Sequence, residues 1–159
     1  MNSLVIYGSR YGNTQKLAAA IAAELGKHGE ARLVSVEEAP SIVGEATDLV
    51  VVGGPTEAHR MSEPVAQLFD GAGDDWLAGK AAAAFDTRVR WPLFLSGSAA
   101  AGIVRKLEAA GATVIAPPMS FFVGGAPTLL EPGELEQAKA WAASLASRNV
   151  PKEPVLTAR

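Results

Sequence analysis

The sequence predicts an α/β fold with a doubly wound, five-stranded parallel sheet in the order 2-1-3-4-5 and helices on both faces. Three observations support this prediction. Short apolar segments alternate with helical patterns five times along the 159 residues, which is typical of a parallel sheet. Most of these segments lack alternating polar residues, as expected for strands covered on both faces. The length fits one domain, which we assign to residues 1–148.

The predicted strands are short and rich in aliphatic or β-branched residues. They comprise residues 4–7, 32–36, 49–52, 80–85 and 113–116. The fourth segment differs from the others because its four consecutive alanines also favour a helix. Its place in the alternating pattern nevertheless predicts a strand.

Amphipathic patterns predict a helix in each main interval between and after the strands. Apolar residues recur three or four positions apart, and proline or glycine marks several helix ends. The apolar positions are Leu17, Ile21 and Leu25; Val65, Leu68 and Phe69; Ile103, Val104 and Leu107; and Leu135, Ala138, Trp141, Ala142 and Leu145. A short helix is also expected between Ser41 and Ala46. Two prolines and a lack of periodicity predict an extended C-terminal tail over residues 149–159.

The composition excludes several classes of function. With 14 basic residues, 17 acidic residues and a net charge of -3, the chain has no electrostatic footprint for nucleic acid or a membrane surface. The absence of cysteine excludes disulfides, thiol catalysis and cysteine-bound iron–sulfur clusters. The two histidines, His28 and His59, are too far apart in the sequence to suggest a metal site. No signal-peptide pattern or membrane-length apolar run occurs, so we expect a cytoplasmic protein.

The loop after the first strand is the most informative segment. An apolar run ends in Gly8-Ser9-Arg10-Tyr11-Gly12-Asn13-Thr14, and a helical pattern begins at once. A small-residue loop and a helix N-terminus at this edge of the sheet form a phosphate site. The P-loop lysine and the Gly-x-Gly-x-x-Gly motif are both absent, so a monophosphate fits best. The alternative is that Ser9 and Asn13 only cap the helix.

Two further loops are predicted at the same edge. Residues 53–62 begin with two glycines and a proline, which let the backbone pass close to a flat ligand; the alternative is an ordinary surface loop. Residues 85–92 place Trp91 after Arg88 and Arg90. A tryptophan in such a loop suits a ligand platform or an interface; the alternative is burial beneath the fourth helix.

The first loop resembles the phosphate-loop signature of the flavodoxin family, whose members bind flavin mononucleotide (FMN). The constrained positions of that signature are met by Val5, Ile6, Tyr7, Ser9, Gly12, Thr14, Ala18 and Ile21. The run Gly53-Gly54-Pro55-Thr56 is similar to the family's third-strand loop, which often continues in a pair like Met61-Ser62. The resemblance covers roughly residues 3–147 and indicates the short-chain type, since no long insertion interrupts the fifth strand.

The resemblance implies FMN as the cofactor and assigns a role to each loop. The phosphate would be bound by Ser9, Arg10, Tyr11, Gly12, Asn13 and Thr14. The ring and the ribityl chain would lie along Pro55, Thr56, Glu57, Ala58 and His59. The opposite wall would comprise Asp86, Thr87, Arg88 and Trp91, with Trp91 stacking on the ring. No residue is assigned a catalytic role, and no metal site is expected.

The chain departs from the family pattern in three ways. An aromatic residue usual in the third-strand loop is replaced by Glu57, Ala58 and His59. Arg60 stands where a glycine often precedes the Met-Ser pair, and arginine tolerates a positive φ poorly. Electron-shuttle flavodoxins tend to be strongly acidic, whereas arginines occur on these loops at positions 10, 60, 88 and 90.

Three functions remain open from the sequence. The favoured one is an electron-transfer protein that uses FMN to exchange electrons with a redox partner protein or a small-molecule acceptor. The second is an FMN-dependent reductase or oxidase for a quinone-like or porphyrinogen-like substrate, because nearby positive charge stabilises a reduced, anionic flavin. The third is a flavin-free binding module, suggested by the missing aromatic residue.

Overall fold

The order of the long parallel strands confirms the predicted doubly wound topology. In the computed structural model, which describes residues 1–39, 43–44, 46–124 and 129–148, the central order is β2-β1-β3-β5-β7. The elements are β1 (Ser3–Tyr7), α1 (Asn13–Leu25), β2 (Ala31–Ser35), β3 (Leu49–Glu57), β4 (Arg60–Met61), α2 (Glu63–Gly71), β5 (Ala81–Val89), α3 (Leu93–Ser96), α4 (Ala99–Ala109), β6 (Thr113–Val114), β7 (Met119–Gly124), β8 (Leu129–Leu130) and α5 (Glu134–Arg148).

Helices cover both faces of the sheet, so the chain has two apolar layers. On one face α1 and α5 pack on Val5, Val51 and Phe85; on the other, α2 and α4 pack on Ile6 and Val52. The five named strand residues are all fully buried, which explains why their strands lack the polar alternation of a half-exposed sheet. Because the central strands pair in parallel, their carboxyl ends lie at one edge of the sheet.

Three aromatic rings stabilise the layer beneath α1 and α5. Phe85, Phe121 and Trp141 meet edge to face, with ring centroids 5.9 to 6.1 Å apart. The backbone of β3 must pass close to this cluster, because a Cβ atom on Gly53 would lie 2.0 Å from the Phe85 ring. Glycine at this position therefore allows the ring to lie flat against the neighbouring strand.

The third and fourth strands are longer than predicted. Gly53, Gly54 and Pro55 pair in parallel with Phe85, Asp86 and Thr87, so the prediction that loops begin at residues 53 and 85 was wrong. Glycine, proline and aspartate are poor strand formers in isolation. Pairing between two neighbouring strands overrides that local preference and carries both chains further toward the carboxyl edge.

The predicted fifth strand at residues 113–116 was largely misplaced. Only Thr113 and Val114 pair there with β5, while the main strand is β7, which pairs with the second half of β5. Pro117 and Pro118 lie between the two pieces and cannot donate a backbone hydrogen bond to the sheet. The short elements β4, β8 and α3 were not predicted. Residues 41, 42 and 45 of the expected helix between Ser41 and Ala46 lie outside the described part of the chain, and its described residues 43, 44 and 46 are not helical. The expected tail 149–159 also lies outside the described residues.

Within the described residues, no helix combines the length and the apolar character needed to cross a membrane.

Candidate functional site

A cavity of about 300 Å³ opens at the carboxyl edge of the sheet, where strand order reverses between β1 and β3. Such switch points are where ligands bind in open α/β sheets. Its lining comes from four segments and contains most of the predicted site residues, namely Ser9, Arg10, Tyr11, Asn13, Thr14, Pro55, Thr56, Glu57, Ala58, Thr87 and Arg88, together with Val89 and Val123. A larger depression of about 820 Å³ lies at the opposite edge, near Trp76 and Lys80, away from the first loop.

The first loop turns into α1 through Gly12. This residue has a positive φ of 87°, and its N–H donates a hydrogen bond to the Ser9 Oγ at 3.1 Å. A Cβ atom at Gly12 would meet no described atom within 4 Å, so glycine is required for backbone conformation rather than for space. The turn presents the first amides of α1 at the cavity, and no acidic residue occupies that first turn. An anion is therefore favoured there.

A pair of buried hydroxyl groups fixes the start of α1 to the sheet. The Thr14 and Thr87 Oγ1 atoms lie 3.3 Å apart, and each side chain is at least 95 % buried. Thr87 lies on the face of β5 that α1 covers, so β5 directly positions the first loop. Both residues line the cavity.

The second wall is a β-hairpin rather than an open loop. β3 and β4 pair through Thr56 with Met61 and Glu57 with Arg60. The two turn residues, Ala58 and His59, have φ values of 47° and 72°, the signs that a type I′ turn requires. From the sequence, Arg60 was the residue at which a positive φ was considered. The positive φ values instead occur at Ala58 and His59, and Arg60 lies in the extended strand β4.

His59, unlike Ala58, does not line the cavity. Its backbone bridges to Gly97, where a Cβ atom would lie 2.3 Å from the His59 carbonyl oxygen. His59 instead lines an adjacent depression together with Arg60 and Arg105. The hairpin tip is thus held against the turn between α3 and α4, and Ala58 rather than His59 faces the cavity.

Asp86 is fully buried on the face of the sheet opposite Thr87. Its Oδ2 accepts hydrogen bonds from the Ser98 Oγ at 2.7 Å and from the Ala100 N–H at 3.0 Å. The Thr56 Oγ1 accepts a further bond from the Ala99 N–H at 3.0 Å. The structure therefore places Asp86 at the N-terminus of α4, where it positions the helix instead of lining the cavity.

Trp91, predicted to stack on the ring, lies outside the cavity lining and is 61 % exposed. The aromatic residue that lines the cavity is Tyr11, with the Arg10 guanidinium 5.3 Å from its ring centroid. Val89 and Val123 are lining residues that the sequence interpretation missed. The apolar run Phe121-Phe122-Val123 was the available signal, but the fifth strand was predicted at residues 113–116 instead.

The arginines near the cavity have different partners. Arg10 lies 3.8 Å from Glu57, and Arg90 lies 2.9 Å from Glu131, whose hydrogen bond raises the pKa of Arg90 above its ordinary value. Arg88 contacts neutral acceptors: its Nε donates to the Ser120 Oγ at 2.9 Å, and its Nη1 to the Trp91 carbonyl oxygen and the Ser96 Oγ at 3.0 and 3.2 Å. Among the described residues, the cavity therefore contains one guanidinium that pairs with a carboxylate, that of Arg10, and one that does not, that of Arg88.

Solved structures with the same fold include several flavodoxins. A flavodoxin from the domain Archaea is 21% identical, with a TM-score of 0.71 over 92% of this chain and 97% of that chain. Oxidised flavodoxin 1 from Bacillus cereus is 22% identical, with a TM-score of 0.75 over 92% and 98%. Rubredoxin oxygen:oxidoreductase from Desulfovibrio gigas is 19% identical, with a TM-score of 0.73 over 92% of this chain and 35% of that chain. These likenesses show the fold.

No curated protein sequence matches the chain. The flavodoxin family model matches residues 5–141, which include the first loop, the hairpin and the end of β5. Because this match spans most of the sequence, the chain belongs to the flavodoxin family, whose proteins bind FMN.

Proposed function

We propose that this protein binds FMN in the cavity at the carboxyl edge and uses it to transfer electrons. The observation that carries the proposal is the convergence of three segments on one cavity: the first loop with the start of α1, the β3–β4 hairpin, and the end of β5. These segments supply an anion site at one end and two walls at the other. When bound, FMN supplies a ring that accepts and releases electrons.

The donor groups at the first loop fit a phosphate monoester. The Ser9 and Thr14 hydroxyls and the first amides of α1 are neutral donors, and the helix dipole adds a partial positive charge. Glu57 is the carboxylate that lines the cavity, and Arg10 lies at ion-pair distance from it. A doubly charged phosphate would therefore meet little repulsion at this end.

The two walls fit a flat ring. Pro55 and Ala58 present small apolar surfaces from the hairpin, and Val89 and Val123 provide apolar contacts on the other side. Tyr11 offers one exposed aromatic ring at the entrance. In this arrangement the chain's own residues bind and orient the cofactor and exclude water from part of its surface.

Cofactor binding is tested by titrating FMN-stripped protein with FMN and, separately, with riboflavin, which lacks the phosphate. We expect stoichiometric binding of FMN and a yellow protein. Thr14→Val should weaken FMN binding about 10- to 100-fold, the range for a lost hydrogen bond to a charged group, with a smaller effect on riboflavin. Thr113→Val, at the opposite edge, is the matched control. A protein that binds no FMN even in excess would support the flavin-free alternative instead.

A reductase acting on a quinone-like substrate is the second candidate function, because the unpaired guanidinium of Arg88 in the cavity favours a reduced, negatively charged ligand. The two functions differ in what consumes electrons. NAD(P)H oxidation that depends on added quinone would support the reductase. Rapid oxidation of the reduced protein by a redox protein, without quinone-dependent turnover, would support electron transfer.

A further inference from the structure

We infer that Arg88 is a fixed positive charge that makes the cavity bind the reduced form of its flavin in preference to the oxidised form. This inference rests on the proposed binding of FMN and adds a determinant of its redox behaviour. The argument depends on how Arg88 is held, on what the other charges near the cavity contact, and on the charge that reduction adds.

The side chain of Arg88 is held in place from three directions. The Ser120 Oγ of β7 accepts from its Nε at 2.9 Å. The Trp91 carbonyl oxygen and the Ser96 Oγ accept from its Nη1. The guanidinium also lies 4.9 Å from the centroid of the Phe122 ring. A half-buried guanidinium with these partners has lost most of its rotamer freedom, so its charge has a defined position at the cavity.

Arg88 forms no ion pair with a carboxylate of the described residues. No carboxylate of the described residues lies within 4.0 Å of its guanidinium nitrogens. Asp86 lies two residues earlier on the same face of β5, more than 4.0 Å from the guanidinium nitrogens; its Oδ2 accepts from the donors at the start of α4, and its Oδ1 has no hydrogen-bond partner among the described residues. Residues 125–128, which follow β7, contain no acidic residue.

The other arginines provide an internal comparison. Arg10 lines the cavity, but Glu57 lies 3.8 Å away. Arg90 is exposed, lies outside the lining and forms a 2.9 Å ion pair with Glu131. Arg60 is exposed on β4, also outside the lining. Arg88 thus combines three properties: it lines the cavity, it is fixed, and it forms no ion pair with a carboxylate of the described residues.

Reduction changes the charge of the ligand in a way that Arg88 would favour. When an oxidised isoalloxazine takes up two electrons and one proton, it gains one negative charge; the redox partner of the proposed function supplies the electrons, and solvent supplies the proton. A positive charge in a partly buried site interacts with that new charge more strongly than it would in water. The reduced ligand is therefore bound more tightly, and by linkage the midpoint potential of the bound couple rises.

The first test uses the unmodified protein loaded with FMN. We expect the two-electron midpoint potential of bound FMN to be higher than that of free FMN under the same conditions, since reduced FMN should bind more tightly than oxidised FMN. A potential equal to or lower than that of free FMN would overturn the inference. A protein that takes up no FMN at all would instead refute the proposed function together with this inference.

The second test compares charge-removing and charge-retaining variants. Arg88→Gln should lower the preference for reduced over oxidised FMN about tenfold, which lowers the potential of a two-electron couple by about 30 mV. Arg88→Lys retains the charge and should restore most of the difference. Arg90→Gln removes the same charge outside the cavity and should change the potential little.

The variants also separate charge from structure. If Arg88→Gln and Arg88→Lys lower the potential equally, the guanidinium acts only by positioning β7 and α3, and the inference is wrong. If Arg88→Gln binds FMN but has an unchanged potential, the inference is likewise wrong while FMN binding stands. Urea unfolding of each variant identifies a loss of fold. If Arg88→Gln does not fold, the inference is decided by comparing the midpoint potentials of FMN bound to the unmodified protein and to Arg88→Lys with that of free FMN.

Discussion

The two ends of the cavity are held in place by different kinds of contact. At the end formed by the first loop, the hydrogen bond from the Gly12 N–H to the Ser9 Oγ spans three residues, and α1 begins directly after it. At the ring end, Arg88 bonds to Ser120 across 32 residues, and the Ala99 N–H bonds to Thr56 across 43. The turn at the first end is shaped by local sequence and is joined to β5 by the Thr14–Thr87 hydroxyl pair across 73 residues, whereas the second end is built from several contacts between distant segments.

This difference predicts that changes in the shared core should disturb both ends, while changes in either set of contacts should act mainly on one. The following predictions test that separation, beginning with the largest effect on stability.

The largest effect is expected from Phe85→Ala, because this buried ring lies beneath both ends. Loss of its contacts with Phe121 and Trp141 should lower the free energy of unfolding by about 3–5 kcal/mol. Leu135→Ala, at a partly exposed position of α5, is the control and should cost much less. Urea unfolding at 25 °C measures both. A loss below about 1 kcal/mol for Phe85→Ala would contradict the view that this ring supports the edge.

An intermediate effect is expected from Asp86→Ala, which removes the acceptor for the Ala100 N–H and the Ser98 hydroxyl. A buried hydrogen bond to a charged group is worth about 1.5–3 kcal/mol, so unfolding stability should fall by about that amount. Asp86→Asn retains an acceptor oxygen and should lose less. If the two ends are separate, Asp86→Ala should loosen the segment around α3, seen as faster amide hydrogen exchange there, without comparable change at residues 9–14.

The smallest effect is expected from Gly12→Ala, whose cost is confined to the backbone. A positive φ at a non-glycine residue costs about 1–2 kcal/mol, and the added methyl group meets no described neighbour within 4 Å. Gly71→Ala, at the end of α2, also adds a methyl group without contacts but requires no positive φ, so it should be neutral or slightly stabilising. Equal stability changes in the two variants would show that the Gly12 conformation is not required.

The contrast between local and distant contacts also explains what could be predicted from the sequence. The strand order and the first loop could be predicted because apolar spacing and glycine position are local signals. Asp86 and Thr87 are adjacent in the chain but face opposite sides of β5. Side chains alternate between two faces only in a strand, so their opposite positions could not be predicted while these residues were interpreted as a loop. The position of Trp91 depends on Arg88, Ser96 and Ser120, which meet only after β5 and β7 pair.

Gly53 and Phe85 show how a packing contact can constrain sequence change over evolution. A Cβ atom at residue 53 would lie 2.0 Å from the Phe85 ring, so neither position can accept a larger side chain alone. A substitution at Gly53 becomes tolerable only if residue 85 has already become smaller, and a smaller residue 85 would leave a cavity until residue 53 had grown. We therefore expect the two positions to vary as a pair among related chains, with an order of substitution imposed by the ring.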